Sequence, residues 1–239
     1  MSHRFPKSTR NARRKHAQQS SGRSTLSTSF DTWLDGHHMF SPLGFESGYD
    51  YPLLVWLPDD SIRHPFNLGR VMARMNLRNY VAVRPVTECL QDTDLLESSM
   101  WNAIDTVTDR VFIHPDRIFL IGSGEGGAAA LRIACRHPNA FGGVISLGGL
   151  FPLDEGLFAQ LDEIRRLPML LCCKNSDSSD AACHTDKTLR LFHAAGAAMA
   201  MRIYAGGNQL SKSVLCDVNR WIMEEVCGPS FAMRSTCKQ

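Results

Sequence analysis

The stretch IFLIGSGEGGAAA, Ile118–Ala130, decides the fold. Its opening residues are apolar and follow the charged HPDR segment, as expected of a buried strand. They run without a spacer into Gly122-Ser123-Gly124-Glu125-Gly126-Gly127, and then into small residues that favour a helix. Strand, glycine turn and helix in immediate succession predict a sharp elbow. Glycines belong there because the turn strains the backbone and the helix must pack closely against neighbouring strands. A phosphate-binding loop fits poorly, because the turn holds no lysine and no G-x-x-x-x-G-K-[ST] pattern. A dinucleotide fingerprint fits poorly too, since this is the third strand of the series rather than the first.

Outward from this turn, apolar runs alternate with amphipathic ones. Tyr51–Leu57 (YPLLVWL), Asn79–Arg84 and Arg117–Gly122 read as the first three strands, and Gly143–Leu147, Pro168–Cys173 and Met199–Tyr204 as three more. Helical spacing is expected over Asn67–Met75, Asp92–Phe112, the segment from the elbow to about Arg136, Leu157–Leu167, Thr185–Ala195 and Lys212–Val226. Residues 30–50 are expected to be irregular, with Gly36, Pro42, Gly44 and Gly48 as turn formers. Continuous apolar strands joined by helices imply a mostly parallel sheet covered on both faces. Right-handed crossovers then bring every parallel strand's carboxyl end to one edge, where a site is expected.

Composition agrees with one α/β domain. The chain has 239 residues, 44% of them hydrophobic and 21% charged, with a net charge of +2. This excludes a disordered chain, a collagen-like chain and a stapled mini-protein. No apolar run approaches the roughly 18–20 residues that span a bilayer, so no membrane span is expected. Charge is uneven: seven of the 26 Lys and Arg residues (Arg4, Lys7, Arg10, Arg13, Arg14, Lys15, Arg23) and none of the 24 acids lie in residues 1–25. Residues 1–29 therefore read as a basic, solvated tail, and 30–239 as the folded domain. The tail lacks the apolar stretch of a secretory signal, and its cations offer a weak polyanion-binding surface. The eight cysteines (Cys89, Cys135, Cys172, Cys173, Cys183, Cys216, Cys227, Cys237) form no C-x-x-C pair. They read as reduced thiols of a cytoplasmic protein; no metal site or cofactor is expected, Cys183-His184 being too little for a ligand set.

From about Phe40 to Val226 the chain resembles the phospholipase/carboxylesterase branch of the α/β-hydrolases, which includes the acyl-protein thioesterases. The resemblance rests on YPLLVWL, HPDRIFLIGSGEGGAAAL (114–131), GGVISLGGLFP (142–152), LPMLLCCKNSD (167–177) and RIYAGGNQL (202–210). It implies an α/β-hydrolase fold and a nucleophile elbow of the form G-x-S-x-G-G. It also implies an acid after the strand at 168–173 and a histidine after Gly206-Gly207.

The chemistry departs from that pattern. The nucleophile position falls on Gly124, flanked by Gly122 and Gly126, and the general-base position falls on Asn208. The family's L-H-G reads Leu57-Pro58-Asp59, and the acid position alone keeps its residue type, as Asp177. Glycine forms no acyl-enzyme, and an asparagine amide does not shuttle protons near neutral pH. Proline brings no N–H to the oxyanion side, and a carboxylate at Asp59 opposes developing negative charge. Three readings follow. The first is a catalytically impaired homologue that keeps a pocket (Pro58, Asp59, Asp60, Ser123, Glu125, Asn208) for a small acyl-type ligand or a protein partner. The second is an atypical ester or thioester hydrolase using Ser123 as a displaced nucleophile. The third is a polyanion-binding protein acting through its tail. Glu125 is expected at a helix N-terminus, where the dipole favours a carboxylate, and His184 and His193 on or near the helix that follows Asp177.

Overall fold

Eight strands form one sheet in a computed structural model that describes residues 31–57, 59, 66–86, 92–151, 161–174, 187–188, 190–194, 196–206 and 209–226. In chain order they are β1 (Asp31–Leu34), β2 (His37–Phe40), β3 (Tyr51–Leu57), β4 (Val81–Arg84), β5 (Ile113–Ser123), β6 (Gly143–Leu147), β7 (Met169–Lys174) and β8 (Met199–Tyr204). Their order across the sheet is β1-β2-β4-β3-β5-β6-β7-β8. β1, β2 and β4 pair antiparallel, whereas every pair from β4 through β3 to β8 is parallel.

The helices are α1 (Leu68–Met75), α2 (Thr93–Thr108), α3 (Gly124–Arg136), α4 (Leu161–Ile164) and α5 (Lys212–Arg220), which continues as a π-helical turn over Trp221–Val226. Residues 187–188 and 190–194 are also helical. Capping side chains start three of these helices. Asn67 accepts from the Arg70 N–H, Asp92 from the Asp94 and Leu95 N–H groups, and Ser211 from the Val214 N–H. α3 begins differently, because Ser123 at its N-cap makes no such bond.

The period of two along each strand divides the core into two layers. Leu53, Val55, Leu57, Leu120 and Leu171 face one cluster with Leu96, Met100 and Ile104 of α2, Leu131 and Ile133 of α3, Ile164 and Phe192. Leu54, Trp56, Phe119, Ile121 and Leu170 face the other, with Val71 and Met72 of α1 and Val214, Leu215 and Val218 of α5. All seven residues of β3 are buried. That is why YPLLVWL shows no polar alternation: both faces of the strand are covered.

Two expectations are corrected. Residues 31–40 are not irregular but form a hairpin, with Leu34 opposite His37 across Asp35-Gly36. Both turn residues have positive φ (47° and 87°), the type I′ geometry whose twist matches a two-residue hairpin. Asp-Gly was the available signal; the short flanks, one partly exposed and the other opening on two histidines, obscured it. The third strand also starts earlier than Arg117, at Ile113, so α2 stops at Thr108 rather than reaching Phe112. Across this start two steps on β3 (Tyr51 to Leu53) meet five on β5 (Ile113 to Ile118), an irregularity around Pro115, which has no N–H to give a ladder. The expected helices at 157–167 and 185–195, and the tail at 1–29, lie partly or wholly outside the described residues.

Leu120 is fully buried in the central β5. Leu120→Ala is expected to lower unfolding free energy by about 2–5 kcal/mol in urea titrations. Removing the exposed Arg110–Asp35 ion pair is expected to cost less than about 1 kcal/mol.

Candidate functional site

The carboxyl ends of β3, β5 and β6 are brought level by their register, Leu57 opposite Gly122 and Gly122 opposite Ser146. The chain then leaves each strand at the same edge. Asp59 stands two residues beyond Leu57, and Gly124 two beyond Gly122.

The elbow is tight enough to dictate its residues. A Cβ on Gly122 would lie 2.2 Å from the carbonyl carbon and oxygen of Gly126, so any side chain there collides with the first turn of α3. Gly124 opens that helix at φ +52°, in the left-handed region that L side chains adopt only at a cost of about 1–3 kcal/mol. A Cβ at this position would lie 2.4 Å from Oδ2 of Asp59 and 3.1 Å from its Cγ. The Asp59 carboxylate thus fills the space into which a side chain at 124 would project. The half-buried Asp59 reaches this place from β3, the neighbouring strand, and no feature of the local sequence announces the contact.

The other expected residues fall as follows. Ser123 ends β5 and is 3% exposed, opposite Leu147 of β6. Glu125 is exposed in the first turn of α3, where a carboxylate favours the helix dipole. Pro58, Asp60, Asp177 and Asn208 lie outside the described residues, as does His184. His193 is exposed on the helical segment 190–194.

Beside the elbow, a small cleft of about 10 Å³ lies over the ends of β6, β7 and β8, lined by Leu147, Cys172, Lys174, Tyr204 and Gln209 among others. Its buried polar group is a thiol joined to a phenol. Cys172 hydrogen-bonds Tyr204, and the Tyr204 hydroxyl donates to Oδ2 of Asp217 at 3.0 Å. Asp217 in turn pairs with Arg202 (3.8 Å) and Arg220 (3.5 Å). Burial pushes the Cys172 thiol up to about 12, the Tyr204 bond offsetting only part of the rise. Burial also raises the Tyr204 hydroxyl, with further contributions from Cys172 and Asp217. Both groups stay protonated at neutral pH. Cys172 is therefore a packed thiol and not an attacking thiolate. Sequence reading had placed it in a strand without finding this chain of polar groups, because Asp217 comes from α5, far along the sequence.

At this edge the described residues offer carboxylates (Asp59, Glu125), a buried hydroxyl (Ser123), an amide (Gln209) and protonated Cys172 and Tyr204, and no imidazole lines the cleft. Each of these described groups can make hydrogen bonds, and the two with raised pKa values, Cys172 and Tyr204, stay protonated near neutral pH.

Comparison with known proteins gives the same fold. No protein-family profile matches the chain. Over 128 residues it is 27% identical to the carboxylesterase SOBER1 of Arabidopsis thaliana, covering 53% of this chain and 54% of that protein. Over 49 residues it is 43% identical to the putative esterase NocK of Nocardia uniformis subsp. tsuyamanensis, 20% of this chain and 14% of that one. The matches thus span about half or less of these relatives' lengths. Among solved structures, a thermostable esterase superposes with a TM-score of 0.59 at 16% identity, over 80% of this chain and 58% of that one. A putative dipeptidyl aminopeptidase IV from Bacteroides ovatus gives 0.59 at 12% identity, over 78% and 32%. The fold is that of the α/β-hydrolases, and the sequence is carboxylesterase-like. No described helix is long and apolar enough to cross a membrane.

Alkylation by iodoacetamide, followed by peptide mass spectrometry, is expected to leave Cys172 unmodified from pH 7 to 9 while the partly exposed Cys216 reacts. The sign of the stability effect follows from the raised thiol. Its contribution is complete below the ordinary value of 9.0 and is lost as pH climbs towards 12. Cys172→Ala is expected to flatten that part of the alkaline unfolding curve.

Proposed function

We propose that this chain is a carboxylesterase-type scaffold that binds a neutral acyl-type ligand at the carboxyl edge of its sheet without hydrolysing it. One observation carries the reading. At the turn where hydrolases of this fold present their nucleophile, Gly124 has no side chain and the Asp59 carboxylate fills the space one would take. Loss of a serine nucleophile alone lowers turnover by about 10⁶-fold in a well-studied hydrolase, leaving weak catalysis from binding and oxyanion contacts. Here a carboxylate stands beside the start of α3, where it opposes the negative charge that acyl transfer develops. Asn208 at the base position and Pro58 in the L-H-G segment point the same way. The carboxylate also argues for ligand choice: an ester or amide with a donor group suits Asp59, and a free carboxylate is repelled.

The displaced-nucleophile reading finds less support. Ser123 is almost fully buried in the sheet, and Glu125, the nearest other carboxylate in sequence, is exposed on the helix rather than aimed as a base. A protein partner at the same edge and polyanion binding by residues 1–25 are separate properties, and neither adds to catalysis.

Purified protein is expected to hydrolyse p-nitrophenyl acetate and butyrate no faster than buffer and to take no label from a fluorophosphonate. Turnover that Ser123→Ala or Asp59→Ala abolishes overturns the proposal. Restoration gives a sharper measurement. Gly124→Ser with Asn208→His is expected to stay at background because Asp59 still fills the seat. Adding Asp59→Gly to that pair is expected to give measurable turnover and fluorophosphonate labelling at position 124.

A further inference from the structure

A second, larger cleft lies at the opposite edge of the sheet, where the strands begin. It encloses about 680 Å³, within the range of small-molecule sites, and is lined by Glu46, Tyr49, Tyr51, Arg78, Asn79 and Arg117 together with smaller neighbours. β3 separates it from the elbow by its seven-residue length, on the order of 20 Å at the usual strand rise. The two places are therefore physically distinct.

Three features of this cleft point to a ligand. The first is charge. Arg78 and Arg117 make no ion pair with any described residue, although five other arginines do, and the single carboxylate lining the cleft, Glu46, is likewise unpaired. Guanidinium groups keep their charge at any physiological pH, so the wall is net positive. The second is an aromatic platform. Phe45 stacks on Tyr51 with centroids 5.3 Å apart, and Tyr49 meets Tyr51 edge-on at 4.7 Å. Tyr51 is buried and its hydroxyl accepts the Glu46 N–H at 2.9 Å, which fixes the loop, while Tyr49 stays 49% exposed with a ring left to solvent. The third is the break in the ladder at the start of β5. Five steps on β5 against two on β3 release Arg117 from regular pairing, a device by which sheets re-aim a side chain.

We propose that this cleft binds a small aryl anion, the aromatic ring packing on Tyr49 and the phosphate or carboxylate held by Arg78 and Arg117. Charge-assisted bonds from two guanidinium groups supply the affinity, and ring contact selects an aryl body over a bare anion. Glu46 faces the same space and opposes the ligand's charge. The site is independent of chemistry at the elbow, so it stands whether or not the chain hydrolyses esters.

The test is calorimetric titration of the full chain with phenyl phosphate and, separately, with inorganic phosphate. Phenyl phosphate is expected to saturate and to bind at least about tenfold tighter than inorganic phosphate. Arg78→Gln and Arg117→Gln are each expected to weaken it about tenfold, from the loss of one charge-assisted contact. Tyr49→Ala is expected to erase the preference for the aryl compound. Glu46→Gln is expected to tighten binding about threefold, a gain that a misfolded variant does not produce. Equal binding of the two phosphates overturns the proposal, as do absence of saturation by 10 mM ligand (roughly the weakest affinity worth calling a site) and indifference to both arginine substitutions. Circular dichroism of each variant accompanies the titrations; should an arginine variant fail to fold, the opposite-signed Glu46→Gln result decides.

Discussion

The approach of Gly122 to the Gly126 peptide is the constraint on which the rest of the molecule depends. Backbone atoms stand where a Cβ would be, so the helix starts directly at the end of the strand. That closeness lets α3 lie flat on β5 and β6 and fill one core layer with Ala129, Ala130, Leu131 and Ile133. It also points the start of the helix at the edge where β3, β5 and β6 all end. A bulkier residue at 122 would lift the helix, opening the core beneath it and moving position 124 away from Asp59. Packing and site geometry thus rest on one missing methyl group.

The same turn keeps the elbow's backbone shape without a side chain at its apex. The left-handed backbone at Gly124 is the strained conformation expected of a nucleophile elbow, yet glycine adopts it at little cost. What strain a serine would carry is absent here, and the vacant side-chain space is occupied by a carboxylate from the next strand. The sheet is indifferent to the exchange, because its stability lies in the two apolar layers rather than in the loops at its edge.

Much of the architecture was legible in the chain, for physical reasons. β3, β6, most of β7 and β5 from Ile118 onward are buried, so each announces itself as an apolar run. β1 is partly exposed, with Trp33 63% exposed, and β2 is short and opens on two histidines, so no such run marks them. Only Asp35-Gly36 carried their signal. The glycine-rich turn around Gly124 was legible; its contact with Asp59 was not, since that contact is set by the register of β3 against β5. The polar chain from Cys172 through Tyr204 to Asp217 was hidden likewise, its members drawn from two strands and a helix. The Arg78–Arg117 cleft draws its walls from the loops before β3 and β4 and the irregular start of β5, and no single segment reveals it.

The sheet's two lateral margins differ in how they discourage templated growth. At one, β1 covers four described residues and turns back through the type I′ hairpin at Asp35-Gly36. At the other, β8 is six residues and exposes Ile203, but Arg202 stands beside it, held by Asp217. An invading strand there meets a fixed charge midway along its path. A tight turn marks one margin and a gatekeeper cation the other, and the array numbers eight strands among the residues described.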